Sequence, residues 1–134
     1  MGIKVINRVQ EGDIIYASCV GHTLCHHIGI VYRTDDKLKV FHNSPYIKNK
    51  YGGSICSETY DEFMKGRLAV KIVRTNVRNQ RILEVARKHK DEVWDEFFFN
   101  CEDFVLEVTE GHRRSNIRDA WKIAALGVTL ISMY

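Results

Sequence analysis

The chain has 134 residues, a formal charge of +3, and 45% hydrophobic against 28% charged residues. That balance excludes a disordered chain and fits one compact domain long enough to bury a core. The small positive charge demands neither a nucleic acid nor an anionic membrane as partner, and four cysteines are too sparse for a disulfide scaffold.

Residues 1–13 lack the apolar stretch and small-residue cleavage site of a secretory signal. Ile6 stands where a myristoylation signal at Gly2 would need Ser or Thr. A cytoplasmic chain with reduced thiols is therefore expected. Gly12-Asp13 is a turn signal, and residues 14–16 then read as a short strand. Residues 17–25, small and polar, read as a loop, and 26–33, rich in branched and aromatic side chains, as a strand. Residues 34–37 form a hairpin turn with 38–43 as the partner strand, and 44–57, holding the only proline and Gly52-Gly53, a loop. Thr59-Tyr60-Asp61-Glu62 is a capping box for a short helix ending near Gly66. Residues 68–74 read as a further strand, and Asn79 as the cap of a helix with Ile82, Val85 and Ala86 on one face. Residues 91–99 are aromatic-rich and fit neither period. Asn100 caps a helix in which Cys101, Phe104, Val105 and Val108 fall at i, i+3, i+4 and i+7, ended by Gly111. Ser115 opens a last helix running to residue 134. The pattern is α+β, with too few strand–helix alternations for a doubly wound sheet.

The hairpin carries the first chemical signal. With an even-numbered turn, Val31 lies opposite Val40, Gly29 opposite His42 and Ser44 opposite His27. Alternation puts His27, Gly29 and Val31 on one face, and His42 joins them as a diagonal neighbour of His27. Gly29 then reads as the residue that makes room for an imidazole pair. The second signal is Cys101 in the first turn of its helix. There, unpaired N–H groups and the macrodipole favour a thiolate and could hold an oxyanion. Glu102 and Asp103 oppose that thiolate, so a histidine partner is needed. Taken alone, a cysteine in phase with Phe104 and Val105 is more often an inert core residue than a nucleophile. Cys19, Cys25 and Cys56 read as structural. Cys19 and Cys25 with His22, His26 and His27 do not match a paired-cysteine zinc pattern, so no metal ligands and no organic cofactor are assigned.

These stretches resemble the lecithin:retinol acyltransferase-like (HRAS-like suppressor, H-box/NC) branch of the NlpC/P60 superfamily. EGDIIYASC is similar to its opening strand, HHIGIVY to its His box, VFHNSP to the following strand and NCEDFV to its NCEHFV box. Asp103 stands where that family commonly has histidine, and an effect on packing or tuning is expected. The resemblance covers residues 11–110. It implies a circularly permuted papain-like fold, with a small antiparallel sheet packed against the helix carrying the cysteine. It also implies Cys101 as nucleophile, His27 as base and His42 as the residue orienting His27. The implied function is a cysteine-dependent acyltransferase or hydrolase forming a thioester acyl-enzyme, with a phospholipid as acyl donor. Two alternatives share these residues: a peptidase or amidase of the same superfamily, and a non-catalytic interaction module that keeps the fold.

The expected organisation is a catalytic domain over 1–114 and an apolar helix over 115–134. Residues 123–134 hold no charge and follow Arg113, Arg114, Arg118 and Lys122. A spanning helix needs about 20 apolar residues, so this one reads either as packed on the domain or as a membrane-associating segment. Peripheral or C-terminally anchored attachment to a membrane is the corresponding expectation for location. The basic residues between 71 and 90 read as a solvated helix face, with no nucleic-acid partner.

Overall fold

A computed structural model describes residues 9–19, 22–95 and 99–112. The expected helix over 115–134, and with it the proposed division of the chain, lies outside them. Among the described residues no helix is long and apolar enough to cross a membrane.

The fold is a small α+β arrangement around a five-stranded antiparallel sheet. Its strands are β1 (Ile14–Cys19), β2 (His22–Thr34), β3 (Lys37–Asn43), β4 (Ile55–Thr59) and β5 (Ala69–Val73), in the spatial order β4-β3-β2-β1-β5. Among the described residues three helices flank it: α1 (Tyr60–Met64), α2 (Asn79–Lys88) and α3 (Cys101–Glu110).

Side chains alternate across each strand, so the sheet has two apolar faces. Ile28, Ile30 and Tyr32 of β2 pack against Ile82 and Val85 of α2 and Phe104, Val105 and Val108 of α3. Ile15, Ala17, Val31 and Val40 point the other way and pack against Phe63 of α1. The α1 helix begins with the expected capping box between Thr59 and Glu62. Between α2 and α3, the His89 ring lies 2.8 Å from Glu92 through Nδ1 and 2.8 Å from Glu107 through Nε2. Lys88 donates to the same Glu107 carboxylate, so this buried charge is paired from two sides.

Three expectations are corrected. The loop over 17–25 is mostly strand, because β1 is an inner strand whose small residues are what its neighbours require. Ala17 is fully buried, and Ser18 is bonded through its backbone N–H and hydroxyl oxygen to Leu68. Strand preference follows such context more than intrinsic propensity. The loop over 44–57 ends at β4, whose ladder with β3 pairs His42 with Cys56. Asn79 is the first helical residue rather than the cap. Its amide bonds both the N–H and the C=O of Arg33, tying α2 to the end of β2.

Candidate functional site

Asp35 and Asp36 both have positive φ, 46° and 65°, as a two-residue hairpin turn matched to strand twist requires. That turn sets the register: Val31 pairs with Val40 and Gly29 with His42, as the even-turn argument expects. The consequence is an imidazole pair. His27 Nε2 and His42 Nδ1 lie 2.8 Å apart, with ring centroids 4.9 Å apart and planes nearly perpendicular. Both rings are buried, 6% and 1% exposed.

Gly29 makes room, but for other atoms than expected. A Cβ there would lie 2.5 Å from Val40 Cγ1 and 3.0 Å from the Phe63 ring. Phe63 in turn stacks on His27 and meets His42 edge-on, at centroid distances of 5.7 and 5.0 Å. The glycine thus admits the aromatic ring that holds both imidazoles in place.

Beyond His42 stands Glu58, with Oε1 2.6 Å from His42 Nε2. A carboxylate only accepts, so His42 carries its proton on Nε2. Its Nδ1 is then the acceptor for His27 Nε2–H, and the free lone pair of His27 falls on Nδ1. Glu58 therefore fixes the tautomer of two rings in series. Sequence reasoning misses it because the loop expected over 44–57 offers no strand to carry residue 58 onto the face of His42. The available signal was Cys56-Ser57-Glu58, whose alternate residues share a face beside His42.

Arg67, also missed, donates from Nε to Phe63 O and from Nη1 to Ser18 O, and lies over the Phe63 ring. Burial pushes the His27 pKa down to about 3, with the neighbouring His42 and Arg67 charges adding to the effect. Burial also lowers the His42 pKa, against the pull of Glu58.

Cys101 reaches this region from the opposite face of the sheet. Asn100 caps α3, accepting from the N–H groups of Glu102 and Asp103. Asp103 returns the contact to Asn100 N at 3.0 Å. That closes a capping box and gives Asp103 its packing role. The cap is anchored by Asn43, whose amide donates to Phe99 O and Asn100 O.

Val31 N–H bonds Asp13 O on the β1 side, so by alternation the N–H of Ile28 faces β3. The β2–β3 ladder closes at Gly29–His42, leaving that N–H outside it. It is directed to the Cys101 sulfur. The half-buried thiol therefore sits at the seam where β2 and β3 part, next to the residues that follow His27 and His42. The two rings leave the same seam on the α1 side. Among the described residues no hydrogen bond joins the sulfur to either imidazole, and His27 Nδ1 has no partner.

The helix start does not lower the Cys101 pKa as expected. Burial raises it and the Glu102 charge adds to that. The N–H groups of Ile28, Glu102 and Cys101 itself oppose the rise without cancelling it. Cys56 is buried, its sulfur 3.6 Å from His42 Nε2, and burial with the Glu58 charge pushes its pKa up to about 12. The side chains of Cys19, His22, Cys25 and His26 lie outside the described residues, and His27 Nε2 is taken by His42.

No family model matches the chain, and no curated protein or solved structure matches it.

Proposed function

We propose that the chain is a cysteine-dependent acyltransferase or hydrolase of the lecithin:retinol acyltransferase-like type, with a circularly permuted papain-like fold. The observation that carries this reading is the Glu58–His42–His27 series, in which both rings are buried. It leaves His27 Nδ1 free of protein partners among the described residues, one position along β2 from Ile28, whose N–H is directed to the Cys101 sulfur. In the reaction, the sulfur attacks an ester carbonyl while His27 Nδ1 takes the thiol proton. His27 then passes that proton to the leaving alkoxide as the C–O bond breaks, giving a thioester on Cys101. Water or another acceptor attacks the thioester, again losing its proton to His27, and the thiol is restored. The N–H of Cys101, in the first turn of α3, supplies a donor for the oxyanion. The raised thiol pKa and lowered imidazole pKa both disfavour a thiolate–imidazolium pair ahead of attack, so the proposed proton transfer accompanies attack.

A phospholipid is the proposed acyl donor. That donor follows from the resemblance: the cleft of about 300 Å³ between β3–β4 and α2, lined by Phe41, Ile55, Leu83, Lys50, Arg87 and Lys90, includes none of Cys101, His27 and His42 and lies on the other face of the sheet from the imidazoles. Membrane contact through residues 115–134 belongs to the same proposal.

An acylating active-site probe should label Cys101 in the wild type and fail in Cys101→Ala. Labelling at other residues to the same extent in both would remove the reading. A non-catalytic interaction module is the second reading, favoured by the raised thiol pKa and the missing sulfur–imidazole hydrogen bond. It predicts no acylation, with Cys101 alkylated at the same rate in His27→Gln as in the wild type.

A further inference from the structure

We infer that His42, Cys56 and Glu58 form a three-ligand site for a zinc-class divalent ion, whose occupation competes with the imidazole series described above. The three residues converge because of sheet register. His42 and Cys56 are directly paired across β3 and β4, and Glu58 follows two residues after Cys56 on the same face. His42 Nε2, Cys56 Sγ and a Glu58 oxygen all lie within 4.8 Å of one another.

The spacing fits the ion. Tetrahedral zinc with Zn–N of about 2.0 Å and Zn–S of about 2.3 Å separates the two donor atoms by roughly 3.5 Å. Here His42 Nε2 and Cys56 Sγ are 3.6 Å apart. Glu58 Oε1, at 2.6 Å from the same nitrogen, must swing outward by about 0.8 Å to reach ligand geometry. Its side chain is 23% exposed, so it has room to do so and gives an entry path. One nitrogen, one sulfur and one oxygen, with a fourth position open to water, is a borderline-soft set that suits Zn²⁺ or Co²⁺ over Mg²⁺ or Ca²⁺.

Coordination at His42 Nε2 removes the proton that Glu58 now accepts. His42 must then carry its proton on Nδ1 and donate it to His27 Nε2. The His27 proton moves to Nδ1, the nitrogen that the thiol reaction needs free. Metal occupancy and use of His27 as a base are thus mutually exclusive. This second half rests on the thiol reading proposed above; the site itself does not.

Cobalt(II) titration of the full chain tests the site, with Cys101→Ser as background so that the candidate nucleophile cannot contribute. A thiolate-to-cobalt charge-transfer band should saturate near one equivalent. It should disappear in Cys56→Ser and weaken at least tenfold in affinity in Glu58→Gln, with circular dichroism checking that both variants fold. Absence of the band, or its persistence at full intensity in Cys56→Ser, overturns the site. Iodoacetamide labelling of Cys101 in the wild type, with and without one equivalent of Zn²⁺, tests the coupling separately. A fall in His27-dependent labelling supports it, and an unchanged rate overturns it. If the band forms but no acylating probe ever labels Cys101, the metal site stands and the acyl-transfer reading fails.

Discussion

Acidification from pH 7 to pH 5 should destabilise the fold by about 2 kcal/mol through His27 alone. Its ring is 6% exposed, and burial holds its pKa at about 3 against 6.5 for a solvated imidazole. The unfolded chain binds a proton below pH 6.5 that the folded chain refuses, so stability is complete above 6.5 and declines as the pH falls toward 3. At pH 5 the unfolded ring is about 1.5 units below its pKa, and each unit is worth about 1.36 kcal/mol, which gives about 2 kcal/mol. His42, whose pKa is also lowered, acts in the same direction. Glu107, with a lowered carboxyl pKa, loses its contribution only below its unfolded value of about 4.5, so the interval from pH 7 to 5 isolates the imidazoles. Urea unfolding in EDTA, followed by circular dichroism at pH 7, 6 and 5, measures the effect. Compared with the wild type, His27→Gln should lose about 2 kcal/mol less over that interval, since Gln has no proton to gain. Equal losses in the two proteins would refute the claim that the ring is held neutral by burial.

Gly29→Ala should cost about 1–3 kcal/mol, the usual range for overpacking, because the new methyl meets Val40 and the Phe63 ring; an unchanged urea midpoint would show that Phe63 can yield. Asp103→Ala should cost about 1 kcal/mol or more by opening the reciprocal cap of α3, read as a lower midpoint with unchanged slope. Alkylation of Cys101 by iodoacetamide should still accelerate above pH 9, past the reference thiol value of about 8.5, because burial raises its pKa. A plateau below pH 7 would show a stabilised thiolate and contradict that account.

How much of the site could be read in advance depended on whether local rules fixed it. Asn100, Asp103 and Gly111 bound α3 through nearest-neighbour hydrogen bonds and a left-handed glycine with φ 84°, so the chain itself states where that helix begins and ends. Thr59 and Glu62 do the same for α1. The Gly29–His42 register follows from the two-residue turn and from alternation. Those are properties of a short stretch, and they brought the two histidines together on paper. Glu58 escaped because β4 is only five residues long and pairs with β3 across a loop whose Pro45 and glycines read as irregular. Its pairing energy comes from β3, not from its own composition.

The sequence by itself determined the caps, the hairpin register and the pairing of His27 with His42, because each rests on contacts between residues close along the chain or on strict side-chain alternation. Only the tertiary structure decided what surrounds them. Phe63 and Arg67 arrive from another element, Glu58 sets the tautomers from a neighbouring strand, and α3 brings Cys101 to the far side of the seam. Burial, which no linear pattern contains, then reversed the effect of the helix start on the thiol. Desolvation depends on everything packed around an atom, and that is settled only when the layers close.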